Sequence, residues 1–217
     1  MNKNLLIIGA GALGIVAKEI AESMGIFEKI AFVDDEYETT PNGIAVIGKV
    51  CDVDNLVSEY YNIIVALPNP EYRLQLIKKL EEETPCRIVT LVSPHAYVSA
   101  SAQIGKGSIV EPKAVISTGS VVLTGCIISA GAVISYCSMC CDGTHIDCNA
   151  TVAENTLVPA GTNVGCGIVY KRDEIKPEDF FFDPKRWQEH LMTLTVKVPK
   201  GGPETINGKE YSFEDGV

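Results

Sequence analysis

A glycine-rich segment near the start of the chain has the spacing of a phosphate-binding loop. Its six residues are Gly9, Ala10, Gly11, Ala12, Leu13 and Gly14, and Asp34 follows twenty residues after the last glycine. Glycines let the backbone approach a phosphate closely, and the start of a helix supplies partial positive charge. The loop, with Asp34 and Asp35, therefore predicts a site for a nucleotide or nucleotide sugar. The pattern fits NAD equally well, and it also fits a tight strand-to-helix turn without a ligand.

His145 is the second candidate for chemistry, because an imidazole can transfer protons near neutral pH. It lies within a repeated region, whereas His95 stands at the first corner of that region and His190 belongs to the tail. One interpretation makes His145 a contact to an acyl carbonyl or a general base. The other makes it a surface imidazole hydrogen-bonded to Asn163, eighteen residues further on.

The first ninety residues alternate short apolar runs with helical patterns, which must position the glycine loop. Strands are predicted over residues 5–8, 30–33, 63–66 and 88–92, and helices over 13–24 and 72–80. This alternation predicts an α/β, Rossmann-like subdomain with a parallel sheet wrapped by helices. We assign it residues 1–91.

A strict period of six residues begins at Val92. Every sixth residue from Val92 to Val164 is apolar over thirteen hexads, and the residue four places later is small in twelve of them. This pattern is typical of a parallel β-helix of hexapeptide repeats, in which each hexad forms one face of a prism and residues eighteen apart are stacked. The class of fold implies a left-handed coil. We assign it residues 92–170 and treat 171–217 as a tail, with a short helix around Trp187 and a turn at Asn207-Gly208.

Six of the eight cysteines fall inside the repeat, where a metal site is one possible interpretation. Cys137 and Cys140 have the spacing of half a zinc site, but Cys126 and Cys140 occupy packing positions of the hexads. Cys148 and Cys166 are eighteen apart and should be stacked. We predict no metal.

Composition and charge exclude several classes of function. The 217 residues include 18 Lys plus Arg and 28 Asp plus Glu, a net charge of -10, which disfavours nucleic acid and anionic membrane surfaces as partners. The apolar segment 5–17 contains three glycines, lacks a cleavage site and is too short to cross a bilayer. We therefore expect a cytoplasmic protein with reduced cysteines.

Together the two halves resemble the bacterial sugar acetyltransferases of sialic acid and bacillosamine biosynthesis. The resemblance covers roughly residues 3–170 and rests on the segments 7–11 (IIGAG), 32–35 (FVDD), 93–96 (SPHA) and 125–133 (GCIISAGAV). It implies an acetyl-CoA-dependent transferase that forms a homotrimer, with acetyl-CoA along the helix between subunits. It also implies a UDP-sugar-like acceptor held by the first subdomain and a histidine base in the repeat.

The family pattern places two histidines nine residues apart, the first as general base and the second near the acetyl group. Here the first position is Tyr136 and the second is His145, and Leu13 stands where the family often has a histidine in the glycine loop. A phenol is a much weaker base at neutral pH than an imidazole. Three hypotheses follow: a transferase that works through His145, an inactive nucleotide-sugar-binding or assembly homologue, and an NAD-binding protein.

Overall fold

The structure is a computed structural model that describes residues 3–171. The predicted tail helix around Trp187, the Asn207-Gly208 turn and His190 lie outside the described residues. No helix within residues 3–171 is both long and apolar enough to cross a membrane.

The first part of the chain folds around one parallel five-stranded sheet. The strands are β1 (Leu5–Ile8), β2 (Ile30–Val33), β3 (Val46–Gly48), β4 (Asn62–Val65) and β5 (Arg87–Ile88), and their order in the sheet is β3-β2-β1-β4-β5. Strands β1 and β4 are buried along their whole length, since helices and coils cover both faces of the sheet. The helices are α1 (Ala12–Met24), α2 (Val53–Leu56), which follows a 3-10 turn at Val50–Asp52, and α3 (Pro70–Glu83).

The predicted elements are mostly confirmed, but some of them differ from the structure. Helix α3 begins earlier than predicted, because Asn69 Oδ1 accepts the Tyr72 N–H (2.9 Å) and Pro70 occupies the first helical position. Strand β3 was not predicted, and neither was helix α2 with the 3-10 turn before it. The predicted strand 88–92 is wrong as a single element, because the Val89 N–H donates to Ile63 in the sheet, whereas the Leu91 N–H donates to Ser108 in the repeat.

From Leu91 onward the chain coils into a three-sided, left-handed β-helix whose faces are parallel sheets of two-residue strands. Face 1 contains β6 (Leu91–Val92), β9 (Ile109–Val110), β12 (Ile127–Ile128), β15 (His145–Ile146) and β18 (Asn163–Val164). Face 2 contains β7 (Tyr97–Val98), β10 (Val115–Ile116), β13 (Val133–Ile134), β16 (Thr151–Val152) and β19 (Val169–Tyr170). Face 3 contains β8 (Gln103–Ile104), β11 (Val121–Val122), β14 (Met139–Cys140) and β17 (Leu157–Val158).

The period of six predicted from the sequence is confirmed residue by residue. All thirteen apolar hexad positions lie in one buried cluster along the axis of the prism. Small side chains such as Ala114 and Cys126 fill the same cluster from the turns, because the narrow axis has no room for larger ones. Strands eighteen residues apart pair in register, as Val115 does with Val133.

The sheet domain packs against the prism at face 1 and at the corner between faces 3 and 1. Residues of α1 form one buried cluster with Leu91 and Ile109 of face 1. At the corner, a Cβ added to Gly125 or to Gly143 would lie about 3 Å from side-chain atoms of α3, which is shorter than an ordinary van der Waals contact. Helix α3 therefore packs directly against the backbone of this corner. The buried Arg73 of α3 donates to the carbonyls of Gly125 (2.7 Å) and Gly143 (2.9 Å) and so joins the two parts of the molecule.

Candidate active site

The glycine loop lies where the sequence predicts it, between the end of β1 and the start of α1. Gly11 is the residue before the helix, no side chain caps this end, and no acidic residue occupies the first turn. The first amides of α1 can therefore meet a ligand, and the helix dipole favours an anion there. Ala12 is exposed and Leu13 is half-buried on this first turn.

The three glycines of the loop have different structural roles. Gly9 has a φ of 111° and a Cβ there would lie 2.5 Å from the Ala66 carbonyl oxygen, while a Cβ on Gly14 would overlap the Gly9 carbonyl. Both positions need glycine for the fold itself. A Cβ on Gly11 would meet nothing within 4 Å. Packing therefore explains Gly9 and Gly14, whereas packing does not constrain Gly11, whose position before α1 also suits a glycine helix cap.

Asp34 and Asp35 bind backbone amides. Asp34 Oδ2 accepts the Ala10 N–H (2.7 Å), and its Oδ1 accepts the N–H groups of Glu36 and Tyr37. Asp35 Oδ1 accepts the Val50 N–H (2.9 Å). Asp34 thus fastens the glycine loop to the end of β2, and both carboxylates organise the loops around the predicted site.

His145 occupies the outward position of β15 on face 1, the face on which α1 packs. Its partners in register are Ile127 on the coil below and Asn163 on the coil above, so the predicted stacking with Asn163 is confirmed. The alternative interpretation, a surface imidazole hydrogen-bonded to Asn163, is wrong. His145 Nε2 instead lies 2.9 Å from Ser129 Oγ, because Ser129 projects from the turn after β12 towards the half-buried ring.

The surroundings of His145 favour the neutral imidazole. Burial lowers the pKa of His145 from its usual value, and the Arg73 guanidinium acts in the same direction, while the Asp147 carboxylate opposes both. The Cys148 N–H, which donates to Asp147 at 2.7 Å, holds the pKa of that carboxyl below its usual range. A neutral imidazole at neutral pH has one ring nitrogen that can accept a proton.

Tyr136 does not lie beside His145 in the same chain. Tyr136 follows β13 at the corner between faces 2 and 3 and is 53% exposed, whereas His145 lies on face 1. The corner is stacked as predicted, since the Cys137 N–H donates to Thr118 and the Asn155 N–H donates to the Tyr136 carbonyl. Within a single chain, Tyr136, at the position of the family's general base, and His145, at the position of its second histidine, therefore lie on different parts of the prism.

The cysteines of the repeat are free thiols. Cys126 and Cys140 are fully buried in the prism core, which confirms them as packing residues, and burial raises the pKa of Cys126 to about 11. Cys148 and Cys166 lie on adjacent coils, where the Gly167 N–H donates to the Cys148 carbonyl. Within residues 3–171 no three histidine, cysteine or acidic side chains are arranged to bind a metal.

Three residues of the site region were not singled out from the sequence. Ser129 and Glu111 lie under His145, and Arg73 contributes to its electrostatic environment. The period of eighteen offered a signal for two of them, because Glu111, Ser129 and Asp147 are eighteen apart and share one corner. No local pattern marks Arg73, which resembles an ordinary surface residue of a helix.

A Rossmann-like domain joined to a left-handed prism of hexapeptide repeats is thus the class of protein that the fold and site define. Residues 4–80 match the family model described as the PglD N-terminal domain. Among curated proteins, no sequence matches the chain significantly.

Solved structures extend the similarity over both parts. The acetyltransferase domain of PglB from Neisseria gonorrhoeae FA1090 is 34% identical, with a TM-score of 0.72 over 76% of this chain and 81% of that domain. The same domain in complex with acetyl coenzyme A is matched at 30% identity and a TM-score of 0.61, over 80% of this chain and 93% of the other. PerB from Caulobacter crescentus, in complex with CoA and GDP-perosamine, is 25% identical with a TM-score of 0.65, over 79% and 90%.

The chain belongs to the family of bacterial sugar acetyltransferases that join a Rossmann-like amino-terminal domain to a left-handed β-helix. The resemblance inferred from the sequence is confirmed, and so is the predicted class of fold.

Proposed function

We propose that the protein transfers the acetyl group of acetyl-CoA to an amino group, or alternatively a hydroxyl, of a nucleotide-linked sugar. The observation that carries the proposal is the 34% identity with an acetyltransferase domain over 81% of that domain. The complexes of relatives with acetyl coenzyme A, and with CoA and GDP-perosamine, support the choice of donor and the class of acceptor.

In the proposed reaction the acceptor nitrogen attacks the thioester carbonyl of acetyl-CoA. A carbon–nitrogen bond forms, the carbon–sulfur bond breaks, and CoA leaves as a thiolate. His145 takes the proton that the nitrogen loses, and the thiolate finally receives a proton, so the products are the N-acetyl sugar nucleotide and free CoA. The half-buried, neutral imidazole supports this role, because a protonated ring could not accept the proton.

We assign the nucleotide of the acceptor to the glycine loop of the 1–91 subdomain. Gly11, which packing does not require, supports this assignment, as do the uncapped amides at the start of α1. Acetyl-CoA is assigned to the 92–170 prism. Because α1 packs on the face that contains His145, a sugar on a nucleotide held at α1 would extend along the sheet that carries the base.

We further propose a homotrimer, with face 2 turned towards a neighbouring copy. The outward residues of this face are Tyr97, Val115, Val133, Thr151 and Val169, four of them apolar or aromatic, and water would otherwise solvate this column. In such an assembly Tyr136 of one copy could approach the site of another, although it is remote from His145 within its own chain. The eight free thiols suit a reducing compartment and support a cytoplasmic location.

A thiol-release assay tests the proposed transfer. Purified protein is mixed with acetyl-CoA and a panel of UDP- and GDP-linked amino sugars, and a mixture without acceptor corrects for the protein's own cysteines. We expect CoA release with at least one acceptor, loss of release in His145→Ala, and retention in Tyr136→Phe. Turnover that survives His145→Ala would refute the catalytic assignment.

A binding protein without transfer activity is the second candidate, and Tyr136 at the position of the family base favours it. It predicts that calorimetry detects binding of sugar nucleotides while no acceptor in the panel releases CoA. In that case Tyr136→His should produce activity, since a positioned base contributes about 10²–10⁴-fold.

Light scattering on the same samples tests the trimer, which a stable monomer at micromolar concentration would refute.

A further inference from the structure

Face 3 of the prism carries a mainly apolar column on its outer side, made of the first residue of each of its four strands. Three members of the column are apolar and none is charged, and the column consists of Gln103, Val121, Met139 and Leu157. The second residue of each strand points into the axial core instead. Without a cation the column does not suit the phosphates of a nucleotide or of CoA, and it fits an apolar partner better.

The centre of this column is more deeply buried than the same positions on face 2. Val121 is 3% exposed and Met139 is 7% exposed, whereas Val115 and Val133 of face 2 are only half-buried. Because the coils have the same geometry on both faces, the deeper burial indicates a cover over face 3.

The sheet domain covers other parts of the prism. Helix α1 packs on face 1, and α3 packs at the corner between faces 3 and 1. Val121 and Met139 belong to an apolar cluster of their own, whose members within residues 3–171 all come from face 3 and the turns after its strands. The sheet domain therefore contributes no apolar residue of this described range to the cluster.

The described part of the chain ends beside face 3. Lys171, the last described residue, is exposed and follows β19 at the corner between faces 2 and 3. Because the coil passes the faces in the order 1, 2, 3, the chain at Lys171 is directed towards face 3, on the coil above Leu157. Adjacent coils are about 4.8 Å apart, so the column of four strands is about 14 Å tall.

The tail beyond Lys171 has the apolar residues and the length to cover this column. Its large apolar side chains include those of residues 180–182 (FFF), Trp187 and Leu191. Phe180 is nine residues after Lys171, and nine extended residues span about 30 Å, which exceeds the height of the column. Burying aromatic side chains on an apolar surface removes both from water, which is the main favourable contribution to such a contact.

We propose that residues 180–191 of the tail pack on face 3 of their own chain and cover Val121, Met139 and Leu157. This contact leaves face 1 to the sheet domain and His145, and it leaves face 2 to a neighbouring copy. The proposal does not depend on acetyl transfer, and it is tested without substrates.

The test uses the fluorescence of Trp187, the only tryptophan of the chain. In the full chain we expect emission at a shorter wavelength than in urea and weak quenching by acrylamide. Both should be independent of protein concentration, because the contact lies within one chain. Met139→Glu places a charge in the covered column, which an apolar contact does not tolerate. Its emission wavelength and its quenching should therefore rise to the values of the urea-unfolded protein.

Val133→Glu is the matched control, because Val133 has the same hexad position as Met139 and lies on face 2 of the same coil. It should leave the emission of Trp187 unchanged, even if light scattering shows that the trimer is lost. Failure of the tail contact and failure of the proposed trimer are thus separate results. Circular dichroism shows whether each variant retains the prism.

A photo-cross-link tests the same contact without a substitution on face 3. Trp187→benzoylphenylalanine is irradiated in the full chain, and mass spectrometry identifies the peptides that become linked. We expect links to peptides that contain Met139 or Leu157. In a mixture of isotope-labelled and unlabelled protein, both halves of each linked pair should carry the same label, because the contact is within one chain. This result decides the question if Met139→Glu does not fold.

Three results would overturn the proposal. The first is a Trp187 as accessible to acrylamide in the unmodified chain as in urea. The second is unchanged Trp187 emission in a folded Met139→Glu. The third is a cross-link to another copy or to a surface other than face 3, which would mean that a second copy or a different partner covers the column.

Discussion

The sheet domain and the prism differ in which of their groups, backbone or side chain, can contact a ligand. In β1 and β4 every residue is buried, so no strand side chain can reach a ligand and the candidate site must lie at the loop after β1. In the prism each strand has two residues, one inward and one outward, so a strand itself can carry a functional group. A site in the sheet domain is therefore made of backbone, whereas a site in the prism is made of side chains.

Face 1 contains both situations along its length. Its outward residues Leu91, Ile109 and Ile127 are buried, but His145 is half-buried and Asn163 is exposed. The coils are the same in geometry, so what distinguishes core from candidate site is the covering sheet domain. Arg73 and the corner glycines fix the position of that cover.

The largest effect should come from breaking the contact between the two regions at Arg73. Arg73→Met removes donors to the carbonyls of Leu67, Pro68, Gly125 and Gly143. Buried acceptors left without partners cost about 1–3 kcal/mol each, so we expect a loss of about 3 kcal/mol or more in the free energy of unfolding. Urea unfolding followed by circular dichroism measures it.

Arg73→Lys is the matched variant, because it retains the charge but cannot make all four bonds. We expect an intermediate loss. Wild-type stability in Arg73→Met would show that the two regions are held together by apolar packing alone.

Smaller effects on stability are expected from substitutions in the glycine loop, where Gly14 and Gly11 separate the needs of the fold from those of ligand binding. Gly14→Ala should cost about 1–3 kcal/mol, because its Cβ overlaps the Gly9 carbonyl. Gly11→Val should cost no more than about 1 kcal/mol, the scale of a changed helix cap, yet it should remove most of the affinity for a sugar nucleotide because the side chain enters the phosphate site. Calorimetric titration with UDP- and GDP-sugars and with NAD measures the affinity.

The two glycine variants control each other, since one tests the fold and the other tests the ligand. Unchanged affinity in Gly11→Val would mean that the loop is a turn without a ligand. Tighter binding of NAD than of every sugar nucleotide would favour the third hypothesis drawn from the sequence.

The smallest effect concerns the pH dependence of the prism site. Because burial lowers the pKa of His145, the neutral base persists below the usual histidine range, and the acid limb of kcat/KM should fall below pH 6.5. Asp147→Asn removes a charge that raises this pKa, so the acid limb should move to still lower pH, by less than about one unit.

Asn163→Ala is the control for this profile, because Asn163 is stacked on His145 without being its hydrogen-bond partner. Its acid limb should match that of the wild type. An acid limb that moves upward in Asp147→Asn would show that a group other than His145 titrates.

The prism was predictable from the sequence nearly to the residue, whereas the chemical surroundings of its histidine were not. A period of six is a local property, and each hexad position from Val92 to Val164 has the same environment as its predecessor. The bond between His145 and Ser129 links residues sixteen apart across two coils, and it competes with the equally plausible partner Asn163. Only side-chain directions at the corner decide between them.

The glycine loop, the hexads of the prism and the stacking of residues eighteen apart were predictable from the amino-acid sequence, because short-range periodicity and turn residues specify these features. Which glycine is free of packing and which coils of face 1 are covered could be known only from the tertiary structure. These features depend on how two independently patterned regions pack against each other. That packing is governed by long-range contacts such as those of Arg73, which leave no period in the chain.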